Sequence, residues 1–328
     1  MTKKRILSGI RPTGKLHLGN YVGALENWVR LQQEYDCFYM VADWHALTSE
    51  YADTREIMEN MQSIVMDWLS AGLDPEISVL FIQSKVKQHA ELALLLGMFV
   101  PLPWLERCPT YKEALQQVKE KDLRTYGFLG YPVLQAADIL IYKADAVPVG
   151  EDQLPHLELT REIARRVNFI CGDIFKEPQD ILSRVPKLLG TDGRKMSKSY
   201  GNCIFLSDDE QTVNEKVSQM VTDPARVRRS DKGHPEICSV FDYQKVFTPE
   251  RIPEIESGCR AATLGCVECK KILAASLKAL LDPMRARRAE ILKKLNYVRN
   301  VIEEGNRRAA AEAEKTMRQV REALRVVP

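Results

Sequence analysis

Arg11-Pro12-Thr13-Gly14-Lys15-Leu16-His17-Leu18-Gly19-Asn20 decides how the rest of the chain is read. Before it stands a short apolar run, Ile6-Leu7, and after it Leu18, Val22, Leu25 and Val29 recur at helical spacing. The pattern predicts a strand, a Pro/Gly turn and a helix start in immediate succession. A helix start presents unpaired backbone N–H groups and the positive end of the dipole, which favour an anion such as phosphate. Gly19 lets a ligand approach the backbone, and His17 and Asn20 carry donors for phosphate oxygens. Taken alone, the ten residues fit a phosphate cradle and an ordinary βα turn capped by Asn20 equally well.

The same alternation continues to residue 150. Cys37-Phe38-Tyr39-Met40-Val41-Ala42 and Ser78-Val79-Leu80-Phe81-Ile82 read as buried strands. Thr54 to Ala71 reads as a helix with Ile57, Met61, Ile64, Val65 and Trp68 on one face, capped by Asp53 or Thr54 and ended by Gly72. Gln88 to Met98 is a further helix. Strands alternating with helices imply an α/β fold, a Rossmann-like parallel sheet covered by helices on both faces. Ligands bind such sheets at the carboxyl ends of the strands, where His17–Asn20 and Asp43-Trp44-His45 fall. No G-x-G-x-x-G fingerprint is present, which disfavours a dinucleotide fold.

Asp138 interrupts the apolar run Ala136-Ala137-Asp138-Ile139-Leu140-Ile141. A buried carboxylate is costly without partners, so it is either a salt-bridge or cap partner or a group aimed into a pocket to accept a ligand N–H. Strand-like Val147-Pro148-Val149 leads into Gly150-Glu151-Asp152-Gln153 and a helix with Leu157, Ile163 and Val167. Asp152 there is a helix cap or a ribose ligand. His156 and Glu158 are spaced too closely to share a helical face, which sets a metal role aside. Gly190-Thr191-Asp192-Gly193 precedes Lys195-Met196-Ser197-Lys198-Ser199, and two lysines with two hydroxyls on a glycine-bounded loop suit a leaving polyphosphate. The spacing is not that of a Walker A loop.

The 328 residues suggest two domains, 1–200 and 201–328, with 45% hydrophobic and 28% charged residues, ordinary for a globular protein. No apolar run approaches the roughly 18 residues of a bilayer span, and no signal-type core follows the basic N-terminus, so a cytoplasmic protein without membrane contact is expected. A net charge of +2 argues for no partner, but residues 270–328 hold 15 Lys and Arg against 7 Asp and Glu. That excess fits either a nucleic-acid face or a solvated helix surface. Val213–Val221, Cys266–Leu281 and Glu303–Arg325 read as helices, with breaks at Thr248-Pro249 and Asp282-Pro283. Of eight cysteines, Cys37, Cys108, Cys171 and Cys203 are scattered and read as small buried apolar residues. Cys238-x20-Cys259-x6-Cys266-x2-Cys269 gathers the other four, a thiolate set suited to Zn²⁺ or an iron–sulfur cluster.

Pro12-x4-His17-x-Gly19-Asn20 resembles the first signature of class I aminoacyl-tRNA synthetases, and Lys195-Met196-Ser197-Lys198-Ser199 resembles the second. Val147 to Gln153, His156-Leu157-Glu158 and Ala136 to Leu140 are similar to the tryptophanyl rather than the tyrosyl type. The likeness runs through most of residues 5–210. It implies activation of L-tryptophan by ATP with Mg²⁺, transfer to tRNA(Trp), a homodimer, and a helical anticodon-binding domain whose last helix can pack back on the catalytic one. Tyrosyl-type charging, another adenylyltransferase of the superfamily and a nucleotide- or RNA-binding regulatory paralogue are the competing readings.

The resemblance also implies roles. Arg11, Pro12, Thr13, Gly19 and Asn20 lie against ATP, with His17 beside its phosphates. Gly150, Glu151 and Asp152 hold ribose and adenine, and Val185 touches adenine. Lys195 and Lys198, with Met196, Ser197 and Ser199, serve the pyrophosphate, and Lys112 adds a mobile charge. Asp138 accepts the indole N–H, Tyr131 and Gln153 meet the ammonium, and His45, Gln135 and Leu7 border the pocket. The family often has Gln, Met and Phe where Arg11, Gln135 and Leu7 stand. A minority of the tryptophanyl type carries a [4Fe–4S] cluster in the region of Cys238, Cys259, Cys266 and Cys269. The resemblance therefore ranks that cluster ahead of Zn²⁺.

Overall fold

The computed structural model describes residues 3–109, 111–112, 123–182, 188–194, 196, 200–294 and 296–326. Five parallel strands form one sheet: β1 (Arg5–Ile10), β2 (Asp36–Val41), β3 (Ser78–Ile82), β4 (Ala146–Val149) and β5 (Gln179–Leu182), in the order β3-β2-β1-β4-β5. The order reverses between β1 and β4, so a crevice opens beyond their carboxyl ends. The segments following those two strands are Arg11–Asn20 and Gly150–Gln153. They border the same crevice because β1 and β4 are neighbours, with Ile6 opposite Ala146.

Among the helices described, residues 18–171 carry α1 (Leu18–Asn20), α2 (Glu26–Leu31), α3 (Asp43–Glu50), α4 (Ile57–Ala71), α5 (Gln88–Gly97), α6 (Leu102–Glu106), α7 (Tyr126–Ile141) and α8 (Leu154–Cys171). The rest of the chain adds α9 (Glu210–Gln219), α10 (Ser239–Phe247), α11 (Ile252–Arg260), α12 (Cys266–Leu292) and α13 (Tyr297–Leu324). None of the described helices is long and apolar enough to cross a membrane. The two-residue period of the strands divides the core. Ile6, Tyr39 and Leu80 face Trp28, Trp68, Leu273 and Leu277, while Leu7, Phe38 and Phe81 face α5, α7 and α8.

Helix α13 passes from one core to the other around the open edge of β3. Val301 and Ile302 belong to the first core, Ala309, Ala313 and Met317 to the second. At the crossing, Gly305 lies directly on the backbone of Leu80. Asn306 Oδ1 accepts the Ile82 N–H at 2.9 Å, and Arg308 donates to the carbonyls of Pro75 at 2.9 Å and Ser78 at 3.3 Å. The Ile82 N–H and the Ser78 carbonyl on the open edge of β3 are thereby partnered.

Two local expectations change, and one strand goes unannounced. Helix α4 starts at Ile57 without a side-chain cap, because Asp53 instead binds the Arg55 guanidinium at 2.8 Å. Pro283 does not end a helix, since α12 runs through it to Leu292. The missing N–H is outweighed by the stripe Leu273, Leu277, Leu281 and Met284, all buried against the first core. Strand β5 has no apolar run to announce it, being an exposed edge of Gln179, Asp180, Ile181 and Leu182.

Candidate functional site

His17 is the N-cap of α1, in extended backbone at φ −118° and ψ 170°. Its Nδ1 accepts the Asn20 N–H at 3.3 Å, and Asn20 Oδ1 accepts the His17 N–H at 3.1 Å. The two side chains complete a reciprocal capping box. An accepting Nδ1 puts the ring proton on Nε2, so His17 presents a fixed donor at the helix start. The helix continues through a π-turn at Tyr21–Leu25, an irregularity found often at functional sites.

The chain that follows the lysine loop returns to this turn. Leu18 N–H donates to Ile204 O and Leu206 N–H to Leu16 O, both at 2.9 Å, which sets 204–206 alongside 16–18. A Cβ at Gly19 would stand 3.0 Å from His17 Nδ1 and 3.2 Å from Met196 Sδ. The two stretches singled out in the sequence therefore meet at Gly19 and Met196. Val185, Lys195, Ser197, Lys198 and Ser199 lie outside the described residues. The base of their loop is described: Gly190 N–H bonds Arg194 O, Thr191 N–H bonds Asn202 O, and Asn202 Nδ2 donates to Asp192 Oδ1 at 2.8 Å. Any side chain at Gly190 would overlap the buried Asn202 amide.

Across the crevice, Gly150 leads into a single 3₁₀ turn, Glu151–Gln153, before α8. Glu151 and Asp152 are exposed, Gln153 is half-buried, and Asp152 folds back to take the Gln153 amide at 3.2 Å. Arg11, Thr13 and Lys112 are exposed, and Pro12 is buried.

Behind the crevice, Tyr131, Gln135, Asp138 and Tyr142 lie along one face of α7 and its C-cap, at steps of four, three and four. Asp138 is 1% exposed. Its Oδ1 receives His89 Nδ1 at 2.5 Å, its Oδ2 receives His45 Nε2 at 2.8 Å, and the Gln83 amide donates to both at 2.9 and 2.8 Å. Burial pushes its pKa up, but the charge of His89 and the hydrogen bonds from His45 and His89 outweigh it and bring it down to about 2. The group is thus a fixed anion. His89 Nε2 in turn meets the Tyr142 hydroxyl at 2.7 Å, and Gln83 Oε1 holds the backbone N–H groups of Trp44 and His45. Sequence reasoning reached Asp138 and His45 but missed Gln83, His89 and Tyr142, which come from three separate elements and form no motif.

Tyr131 OH lies 3.0 Å from His156 Nε2, whose Nδ1 lies 3.4 Å from Cys108 Sγ. Burial lowers the pKa of His156, which suits a neutral ring that orients Tyr131. Leu7 is buried beside Val147, and Gln135 is half-buried.

Cys238 is the N-cap of α10, Cys259 lies in α11, and Cys266 and Cys269 open α12. All four line one small apolar cavity with Val240, Phe241, Ile255 and Leu264. Burial raises the Cys238, Cys259 and Cys269 thiols, the last to about 11, and the neighbouring sulfurs add to the effect. Arg226 Nη1, 3.8 Å from Cys259 Sγ, offsets this in part. Burial thus disfavours the thiolate form of Cys238, Cys259 and Cys269, a cost that a bound cationic soft-metal group would offset. Among the described residues, no three His, Cys, Asp or Glu side chains are drawn together as ligands of an ion.

The family model described as tRNA synthetases class I (W and Y) matches residues 2–282. Tryptophan–tRNA ligase of Thermotoga maritima is 56% identical over 326 residues, covering 98% of this chain and 99% of that protein. The enzyme of that name from Aquifex aeolicus is 47% identical over 391 aligned residues, covering 98% and 99%. The crystal structure of tryptophanyl-tRNA synthetase from Campylobacter jejuni complexed with ADP and tryptophan superposes with a TM-score of 0.85 at 34% identity, covering 98% of this chain and 99% of that one.

Proposed function

The chain belongs to the tryptophan and tyrosine type of class I tRNA synthetases, and from that premise we propose that it is a tryptophan–tRNA ligase. ATP, with Mg²⁺, and L-tryptophan give tryptophanyl-adenylate and pyrophosphate, and the amino acid then passes to tRNA(Trp). A carboxylate oxygen of tryptophan attacks the α-phosphorus while the bond to the bridging oxygen of pyrophosphate breaks. No enzyme nucleophile is required. The protein aligns the reactants and stabilises charge moving onto pyrophosphate.

The observation that carries the tryptophan reading is Asp138, an ionised carboxylate at the closed end of the α7 face. It suits an amino acid whose large apolar ring presents an N–H to a buried acceptor, as indole does. In this reading His17 Nε2 and the α1 N-terminus take the phosphates, with Asn20, Gly19 and Arg11–Thr13 against ATP. Gly150–Asp152 hold the ribose side, and Val185 touches adenine. Tyr131 and Gln153 take the ammonium, and Gln135, Leu7 and His45 border the indole. Lys195 and Lys198, flanked by Met196, Ser197 and Ser199, stabilise the pyrophosphate, aided by Lys112. Tryptophan-dependent exchange of labelled pyrophosphate into ATP tests the whole assignment. Exchange that follows tyrosine, or none with any amino acid, overturns it.

Gly190→Ala probes the loop base. Displacing Asn202 moves the lysine loop by a fraction of an ångström or more, and the exchange kcat is expected to fall roughly 10–100-fold. The tryptophan dissociation constant stays within about twofold, since Gly190 touches no part of the α7 face. Stopped-flow adenylation and equilibrium tryptophan binding separate the two effects.

Residues 1–200 serve as the adenylate-forming domain and 201–328 as the anticodon-facing helical domain, whose Lys and Arg excess makes tRNA binding salt-sensitive. The protein is assigned to the cytoplasm on the same reading. Leu94, Met98, Leu102 and Phe169 are large, apolar and exposed on α5, the turn after it, α6 and α8, which supports a homodimer. Cys238, Cys259, Cys266 and Cys269 would hold a [4Fe–4S] cluster, whose thiolates spread wider than the ~3.8 Å between sulfurs set by ~2.3 Å zinc bonds. Protein purified anaerobically is expected to absorb at about 400 nm and to contain iron and sulfide. A colourless protein with one zinc per chain would exclude the cluster.

A further inference from the structure

Asp138 has no acceptor position left for a ligand. A carboxylate offers about four lone-pair sites, and His89, His45 and the Gln83 amide, which reaches both oxygens, take them all. If Asp138 receives the indole N–H, as proposed above, one of its present donors must leave.

The three are held very differently. Gln83 is anchored at both ends, its Oε1 accepting two backbone N–H groups at the start of α3. His89 has a side-chain exposure of 0%, and its other nitrogen meets the Tyr142 hydroxyl. Its ring lies among Phe81 and Tyr142, with centroids 6.0 and 5.4 Å away. Moving it would orphan two buried polar groups at once. The His45 side chain is 11% exposed, and among the described residues its ring makes one hydrogen bond, to Asp138 Oδ2. It sits in the first turn of α3, just beyond β2.

We propose that His45 occupies the indole acceptor of the unliganded protein and surrenders Asp138 Oδ2 to the indole N–H, while Gln83 and the His89–Tyr142 pair hold the carboxylate still. The His45 Nε2–H is an internal counterpart of the indole N–H. It keeps a buried anion satisfied until substrate arrives, and tryptophan binding becomes an exchange of one N–H···O bond for another. His45 then moderates selectivity. A ring without the N–H leaves His45 on Asp138 Oδ2, so wild type strands no charged oxygen under such a ligand, whereas a protein without His45 does.

The inference rests on the tryptophan reading, and the test separates the two. In full-length protein labelled with ¹⁵N-histidine, two strongly downfield imidazole protons bonded to Asp138 are expected, assigned through His45→Ala and His89→Gln. Saturating L-tryptophan is expected to abolish the His45 signal and preserve the His89 signal. In a second arm, tryptophan is compared by equilibrium binding with its benzothienyl isostere, which lacks the N–H. Removing the competitor in His45→Ala is expected to raise the preference for tryptophan roughly tenfold over wild type, the worth of one hydrogen bond to a charged group. Changes in ring packing affect both ligands and cancel in the ratio. A His45 signal that survives in the saturated complex, or a preference that is unchanged or smaller, overturns the exchange and leaves the ligase reading standing. Absence of tryptophan binding together with absence of tryptophan-dependent pyrophosphate exchange overturns both.

Discussion

Asp138→Asn is expected to raise the tryptophan dissociation constant roughly 10²–10³-fold, about 3–4 kcal/mol, with the KM for ATP within about threefold of wild type. The side chain keeps its shape but loses its charge, and one of its atoms becomes a donor facing His45, His89 or Gln83, which are themselves donors. The amide meets all three only if a histidine switches tautomer, and it then offers indole no charged acceptor. ATP binding is expected to be spared because the residues proposed for it follow β1 and β4, and none of them is bonded to Asp138. Tryptophan titration by calorimetry and pyrophosphate exchange at varied ATP check the two halves. A variant that binds tryptophan normally removes Asp138 from the recognition machinery.

The same substitution has an acid signature. The folded-state pKa of Asp138 is depressed, from the ordinary 3.8 to about 2. Its stabilisation is therefore fully present above pH 3.8 and is lost as the pH falls towards 2. The stability gap between wild type and Asp138→Asn, read from urea midpoints, is expected to close across that window. A gap independent of pH would show that the carboxylate is not held ionised.

Gly305→Ala is expected to destabilise the protein by about 3 kcal/mol, despite a helix-propensity gain of about 1 kcal/mol. The new methyl would overlap the Leu80 carbonyl, which is backbone and cannot turn aside. Helix α13 must then lift off β3, lengthening the Asn306 and Arg308 bonds to the strand edge. Gly97→Ala is the control: it also adds a methyl to a helix, but nothing lies within 4 Å of it. A thermal midpoint that falls by several degrees for Gly305→Ala and holds for Gly97→Ala is the expected pattern. Equal behaviour of the two would mean that α13 docks more loosely than its contacts imply.

How much of this was legible depended on whether a residue's role is local. Strands β1 to β4 announce themselves by apolar runs, because a sheet buried on both faces leaves polar residues no place. Strand β5 is an exposed edge with Gln179 and Asp180, and its pairing with β4 is a tertiary fact. Asp138 stood out because a charge inside an apolar helix demands an explanation. The partners that supply it were invisible: Gln83 lies just beyond β3, His89 in α5, and Tyr142 at the end of α7. His17 and Asn20 were recognised as donors, but not that each first spends one polar atom on the other. Pro283 misled because the cost of one lost hydrogen bond is local, whereas the packing that overrides it is not.

The crossing of α13 over β3 also orders events in time. Residues 78–82 leave the ribosome long before residue 305, and at ordinary elongation rates of ~5–20 residues per second the interval is on the order of 10–40 s. During that interval the strand's outer edge lacks the bonds that Asn306 and Arg308 bring. Another nascent chain of the same kind, at the same stage on a neighbouring ribosome, offers an identical edge. Synthesis of the final helix is therefore the step that withdraws this chain from pairing with its siblings, and crowded polysomes are where slow completion would be felt first.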